Sequence, residues 1–261
     1  MKNIKYFLIL IVSLIVLGSS GCPTKIKGTS PGKIPTKTLT VLPDKTGSSA
    51  PDELPRFADA LKEALVQSEN FSQTEVVNLG GNGKTTWISS TKRFDFPPQP
   101  VYFFDEDDAR AKAKKEGCGR RVPCIERYLR ERRKETEEKY NSDLGVYKEN
   151  LNLAAQRVSE EILQNPTKEP ACSDIQEMAE RVAQSSEYVI WVTDADHNCK
   201  TPFGGVEFKN KVLIGLVPLK SEIPGNFGKR LAEIGAKFPN AQVKPLALFN
   251  KEMLAEFLKT R

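Results

Sequence analysis

Short apolar runs alternate with amphipathic segments along most of this chain, and that alternation limits the folds it can adopt. Six runs have the length and composition of strands, near residues 39–43, 74–79, 85–94, 187–193, 208–217 and 241–247. Four segments place apolar residues at helical spacing, near residues 52–67, 174–185, 227–237 and 250–259. Strand and helix in alternation predict an α/β fold, a doubly wound and mostly parallel sheet with helices on both faces.

One pair of runs predicts an antiparallel hairpin. Residues 74–79 and 85–88 are separated by a turn that contains Gly80, Gly81, Asn82 and Gly83. Glycine and asparagine adopt the left-handed backbone that tight turns require. The second and third strands are therefore expected to pair directly with each other.

Residues from about 105 to 170 depart from this alternation and are predicted to form a charged helical insertion. The stretch Arg110 to Lys139 contains twelve Lys or Arg and six Glu residues. Breaks are expected around Gly117 to Pro123 and again near Gly145, where helix-breaking residues occur. Base-stacking aromatic residues are sparse among the basic ones, so nucleic-acid binding is not expected.

Carboxylate and hydroxyl side chains follow two of the predicted strands. The run Leu39 to Leu42 leads into a loop with Asp44, Thr46 and Ser48, and the run from Tyr188 to Val192 leads into Asp194. Ligands of open parallel sheets bind beyond the carboxyl ends of the strands. Oxygen donors there suit a hard cation such as Mg²⁺ or Mn²⁺.

Asp44-x-Thr46-x-Ser48 resembles the Asp-x-Ser/Thr-x-Ser signature of von Willebrand factor type A (vWA) domains. The resemblance extends over about residues 38–260 and implies a metal-ion-dependent adhesion site. It assigns Asp44, Thr46 and Ser48 to the first loop, and Asp194 to a later strand end. It also implies that an acidic group of a protein partner completes the coordination of the ion.

The vWA site includes a further hydroxyl ligand from a middle loop, and the matching position here is Ser173. The family residue is usually Thr, so a serine departs from the pattern. Ser173 or the adjacent Asp174 also suits the N-cap of the helix predicted to follow. Both roles for Ser173, metal ligand and helix cap, remain open at this point.

The same first motif resembles the phosphorylated-aspartate loop of the haloacid dehalogenase superfamily. That alternative implies a Mg²⁺-dependent phosphatase with Asp44 as the nucleophile and Asp194 and Asp196 in the acidic metal-binding motif. Such enzymes usually place a turn and a small hairpin flap after the nucleophile. Here Pro51 opens a predicted amphipathic helix almost at once, which favours the vWA interpretation and a binding protein over an enzyme.

The first 21 residues have the pattern of an export signal. Lys2 and Lys5 precede an apolar stretch that is short for a bilayer span, and small residues then lead to Cys22. This arrangement resembles a bacterial lipoprotein cleavage site, which implies that Cys22 carries lipid and anchors the chain in the cell envelope, periplasmic or on the outer surface. The sequence departs from that pattern at Ser19, where an aliphatic residue is usual, so ordinary secretion and an uncleaved anchor are the alternatives. Residues 22–37, rich in Pro, Gly, Thr and Lys, are predicted to form a tether to the domain at 38–261.

Four cysteines remain after Cys22: Cys118, Cys124, Cys172 and Cys199. An exported chain reaches an oxidising compartment, where disulfides form and persist. Cys118 with Cys124 is the natural local pair, and a bond between Cys172 and Cys199 would join the two loops expected to carry Ser173 and Asp194. Free thiols are the alternative.

Overall fold

The computed structural model describes residues 37–44, 53–68, 71–81, 86–164, 174–197, 199, 202–219, 222–223 and 225–259. These residues divide into two compact units, a smaller one of residues 101–138 and a larger one of residues 37–100 and 139–259. The predicted signal and tether, with Cys22, lie outside the described residues except for Lys37, which the structure places at the start of the first strand. In the described part, no helix is both long and apolar enough to cross a membrane.

The larger unit is built on one six-stranded sheet. Its strands are β1 (Lys37–Pro43), β2 (Phe71–Gly81), β3 (Thr86–Asp95), β4 (Tyr188–Thr193), β5 (Lys211–Leu216) and β6 (Ala241–Pro245). Their order across the sheet is β3-β2-β1-β4-β5-β6, in which β3 runs antiparallel to β2 and all other neighbours are parallel. The predicted α/β class and the predicted hairpin are both confirmed.

Helices cover both faces of this sheet. The α-helices of the described residues are α1 (Leu54–Ser68), α2 (Glu106–Ala113), α3 (Val122–Leu163), α4 (Ile175–Ala183), α5 (Asn226–Lys237) and α6 (Lys251–Leu258). Of these, α2 and the first part of α3 belong to the smaller unit and do not contribute to the cores of the sheet. Apolar side chains of α1, α6 and the C-terminal part of α3 share one core with strand residues such as Leu39 and Ile190. Those of α4 and α5 share a second core with the alternate strand residues, including Leu42 and Trp191. Successive strand side chains point to opposite faces, which explains why β1 and β4 contribute to both cores.

The smaller unit contains α2, a π-helical turn at Lys114–Cys118 and the first part of α3. The chain reverses where Gly117 and Gly119 have φ of 108° and 53°, conformations that favour glycine. This is the first of the two predicted helix breaks. The predicted break near Gly145 is wrong, because α3 continues from Val122 to Leu163.

The error at Gly145 has a physical cause. Glycine inside a helix costs only about 1 kcal/mol relative to alanine. On the same stretch of α3, a row of apolar side chains is buried in the core of the larger unit, and their burial outweighs that cost. The row consists of Tyr147, Leu151, Ala154, Ala155, Val158 and Ile162. The predicted insertion at 105–170 is thus divided between the two units.

Candidate functional site

The candidate site lies at the topological switch point of the sheet, between β1 and β4. From β1 the chain continues to β2 on one side, and β4 pairs with β1 on the other. Such a switch point opens a crevice beyond the carboxyl ends of the two central strands. Asp44 directly follows β1 and Asp194 directly follows β4. Pro43 pairs with Val192, so both aspartates occupy the same edge of the sheet.

Backbone and side-chain hydrogen bonds hold Asp44 at this edge. Its N–H donates to the Val192 carbonyl at 2.8 Å, which extends the pairing of β1 and β4 by one residue. Its Oδ2 accepts a hydrogen bond from the Thr193 hydroxyl at 2.9 Å. The Asp44 side chain is therefore oriented by the neighbouring strand, and only 3% of the residue is exposed.

Asp194 is completely buried at the start of a tight turn. Its Oδ1 accepts a hydrogen bond from the Asp196 N–H at 3.0 Å, and Thr193 Oγ1 accepts one from the Ala195 N–H at 2.9 Å. Ala195 itself has φ of 52°, in the left-handed region that non-glycine residues seldom adopt. Unfavourable backbone of this kind is retained where the surrounding contacts enforce it, and it concentrates at functional sites.

An arginine from α5 forms hydrogen bonds with the backbone of the loop that carries Asp194. Arg230 donates to the backbone carbonyl of Asp194, and also to the Val217 carbonyl at 2.8 Å. Both carboxylate oxygens of Glu222 accept from the same guanidinium, at 3.0 and 2.7 Å. These hydrogen bonds hold the pKa of Glu222 below its ordinary value. Glu222 thus neutralises the guanidinium beside the candidate site.

Sequence reasoning missed Arg230 and Glu222. They are eight residues apart and come from different elements, a loop after β5 and the helix α5. No spacing pattern distinguishes them from the other charged residues of the chain. The fold alone brings them to the carboxyl end of β4.

Asp174 and His197 organise the beginning of α4. Asp174 is the N-cap, and its Oδ1 accepts from the Glu177 N–H at 3.0 Å. The Nδ1 atom of His197 accepts from the Ile175 N–H at 3.2 Å, and its ring stacks on Phe203 with centroids 5.4 Å apart. The capping role weighed for the Ser173–Asp174 pair is therefore filled by Asp174. Ser173 lies outside the described residues.

A hard cation such as Mg²⁺ requires several oxygen ligands directed at one point. Asp44 and Asp194 supply two carboxylates at one sheet edge, which fits the predicted site. Thr46 and Ser48, like Ser173, lie outside the described residues. Across the described ranges no group of three or more His, Cys, Asp or Glu side chains could hold a metal ion. The predicted site contains only two carboxylates, and its other three ligands are hydroxyls. The absence of three or more clustered His, Cys, Asp or Glu side chains from the described ranges therefore does not test it.

Two of the cysteines predicted to form disulfides are described as a bonded pair. Cys118 and Cys124 form a disulfide in the smaller unit, the pairing that their spacing predicts. Cys199 is also disulfide-bonded, and its partner lies outside the described residues. Cys172 lies there too, and its bond with Cys199 remains a prediction.

Comparison of the chain with protein-family models, with curated proteins and with solved structures found no match.

Proposed function

We propose that this chain is an exported, lipid-anchored binding protein with a vWA-like domain, which engages an acidic group of a protein partner through Mg²⁺ or Mn²⁺. One observation carries the proposal: two buried aspartates, Asp44 and Asp194, end adjacent parallel strands at the switch point of the sheet. The sheet order supports the vWA assignment, because that family also places a hairpin of its second and third strands at the sheet edge.

Each residue has a definite task in this proposal. Asp44, Thr46 and Ser48 would hold the ion from the first loop, Ser173 from the second, and Asp194 directly or through water from the third. The bound ion would accept a carboxylate oxygen of the partner in its open coordination position. The Thr193 hydroxyl fixes the orientation of the Asp44 carboxylate, as residues around metal ligands commonly do.

The charge of Arg230 must be balanced for a cation to bind nearby. Its guanidinium contacts the backbone of Asp194, and an uncompensated positive charge there would oppose the ion. Glu222 supplies the balance through a bidentate contact. We therefore expect replacement of Glu222 to weaken metal binding although it is not itself a ligand.

The phosphatase alternative is less consistent with the chain that follows Asp44. Helix α1 begins at Leu54, so nine residues, 45–53, lie between it and Asp44. Haloacid dehalogenase enzymes usually place a turn and a small hairpin flap in that interval. The short segment between Asp44 and the long helix α1 is consistent with the vWA order of strand, motif and helix.

A calorimetric titration with Mg²⁺ and with Mn²⁺ tests the proposal. The protein is the chain from Pro23 to Arg261, which retains every described residue, and the variants are Asp44→Asn and Asp194→Asn. Asp59→Asn, an exposed aspartate on α1, is the matched control. We expect wild type and control to bind the ion, and the two site variants to remain folded by circular dichroism and not to bind.

The titration is repeated with acetate present, as a stand-in for the partner carboxylate. Absence of binding by the wild type under both conditions contradicts the proposal. Turnover of a generic phosphoester with Mg²⁺, lost in Asp44→Asn, would replace it with the phosphatase alternative.

A further inference from the structure

The smaller unit separates its charges along a helical hairpin. Arg110 contacts Glu126 at 3.2 Å and Arg133 contacts Glu106 at 3.0 Å. Moving along α2 from Glu106 to Arg110, the contacted residue of α3 moves backwards from Arg133 to Glu126. The helix α2 and the first part of α3 are therefore antiparallel. The turn between them is closed by the disulfide of Cys118 and Cys124.

One end of this hairpin is strongly acidic. Residues 105–108 and 131–138, which face each other through the contact of Arg133 with Glu106, together contain eight Asp or Glu and three Lys or Arg. These residues also supply partners to basic side chains, as in the contact of Lys112 with Asp108 at 2.6 Å and that of Arg132 with Glu135 at 2.8 Å.

The turn end is strongly basic. Residues 114–130 contain six Lys or Arg and two Asp or Glu, and one of the two, Glu126, is engaged by Arg110. Across the described ranges none of the six forms an ion pair, and all are exposed. Four of the six lie at the turn itself, and we call these four the basic tip: Lys114, Lys115, Arg120 and Arg121. The positive end of the α3 dipole adds to their field.

An apolar side chain is exposed among these charges. Val122, the first residue of α3, is 65% exposed, and Pro123 beside it is exposed as well. Surfaces that bind lipid headgroups typically combine exposed basic residues with an exposed apolar side chain. The basic residues contact the phosphates, and the apolar side chain is removed from water. Nucleic acid would favour aromatic stacking residues in this position, and the segment 114–130 has one aromatic residue, the half-buried Tyr128.

We propose that the basic tip docks on an anionic phospholipid surface, with Val122 entering the headgroup region. The turn is well suited to this, because the disulfide fixes its geometry before contact and less conformational entropy is lost on binding. The export signal predicted from the first 21 residues brings the chain to such a surface. This contact is independent of the proposed metal site, which belongs to the larger unit.

Vesicle co-sedimentation of the Pro23–Arg261 chain tests the inference. Vesicles of phosphatidylcholine with phosphatidylglycerol are compared with vesicles of phosphatidylcholine alone. The tip variant removes the four charges of the basic tip: Lys114→Gln, Lys115→Gln, Arg120→Gln and Arg121→Gln. A control variant removes four exposed charges of the larger unit: Lys148→Gln, Arg157→Gln, Lys209→Gln and Lys229→Gln.

Each charge near an anionic membrane changes binding by about fivefold, so the tip variant should lose more than about 100-fold of its partition coefficient. The control variant should lose far less, and wild type should not bind phosphatidylcholine alone. Raised salt should weaken the binding of the wild type. An equal loss in both variants, or wild-type binding by the tip variant, would falsify the inference.

A second pair of measurements separates a membrane from a soluble phosphate polymer. Val122→Ser removes the apolar contact and keeps every charge of the basic tip. It should reduce binding to anionic vesicles and leave binding to inorganic polyphosphate unchanged. If Val122→Ser binds vesicles as the wild type does, and polyphosphate competes fully, the surface is a polyanion site and the membrane inference is overturned.

Discussion

The two compact units are stabilised by different means. The larger unit buries apolar side chains on both faces of its sheet, including Leu61, Ile190 and Trp191, each at 0% exposure. The smaller unit buries a cluster of only five, Ala109, Ala113, Cys118, Ile125 and Leu129. It adds a disulfide and ion pairs between its helices. A segment of this size cannot bury enough apolar surface to be stable alone, and covalent closure of the turn compensates.

This difference predicts where each unit is sensitive to change. A cavity should be most damaging in the larger unit, and loss of the disulfide should act within the smaller one. Ion pairs should matter where they are shielded from water and contribute little where they are exposed.

The largest effect is expected from a cavity at Phe57. This α1 side chain is 1% exposed and meets the Phe249 ring edge-on, with centroids 6.0 Å apart. Phe57→Ala should lower the free energy of unfolding by about 3–5 kcal/mol. Urea unfolding followed by tryptophan fluorescence measures it. Leu153→Ala, at a side chain 50% exposed, is the control and should change little; equal losses in both would contradict a core at Phe57.

Removal of the Cys118–Cys124 disulfide should destabilise the smaller unit alone. The bond closes a short loop, with a sequence separation of 6, which corresponds to about 2 kcal/mol. In Cys118→Ala/Cys124→Ala we expect faster amide hydrogen exchange in residues 106–131. Substitution is preferable to reduction, because a reductant also attacks the disulfide of Cys199.

The thermal midpoint of the larger unit provides the internal control for that variant. It should stay at the wild-type value, because its cores contain neither cysteine. A matching fall in both units would show that their stabilities are not separable in the way proposed here.

The Arg230–Glu222 pair should show a pH-dependent effect of intermediate size. The side chains are 15% and 8% exposed, and Arg230 holds the pKa of Glu222 below its ordinary value of 4.5. The contribution of a carboxylate with a lowered pKa is complete above 4.5 and disappears as the pH falls through the folded-state value. Glu222→Gln should therefore cost about 1–3 kcal/mol at neutral pH.

The difference between Glu222→Gln and wild type should shrink below pH 4.5. Urea unfolding across that range measures it, with Glu233→Gln, an exposed glutamate on the same helix, as the control. A difference that stays constant with pH would show that the contact acts through packing and not through the charge of Glu222.

Much of the fold could be predicted because local patterns and the tertiary structure agree. The apolar runs of β1 and β4 are buried on both faces, which is why they appear as continuous hydrophobic stretches. Gly117 and Gly119 end the first helical stretch through their positive φ. Gly145 looked similar in the sequence, but nothing local distinguishes a tolerated helix glycine from a break. Whether the helix continues depends on side chains that are buried two and six residues further along α3, Tyr147 and Leu151.

The candidate site could be predicted only in part, for a similar reason. Asp44 and Asp194 follow apolar strands directly, so their positions at the sheet edge can be derived from the sequence and the parallel pairing. The hydrogen bond from Thr193 to Asp44 joins residues 149 positions apart, and that from Arg230 to the Asp194 carbonyl joins residues 36 positions apart. Contacts of that range depend on the completed sheet and have no local signature.

The smallest effect is expected at an exposed ion pair of the smaller unit, and it is the strictest test of the comparison. Lys112 lies 2.6 Å from Asp108, closer than Arg230 lies to Glu222, and the contact raises the pKa of Lys112. Both side chains are more than half exposed, at 53% and 57%. Water and salt screen such a pair, so Lys112→Gln should leave hydrogen exchange in α2 unchanged within error, at low and at high ionic strength. If Lys112→Gln instead accelerated exchange at low salt as strongly as loss of the disulfide does, the smaller unit would depend on its charges and not on its covalent closure.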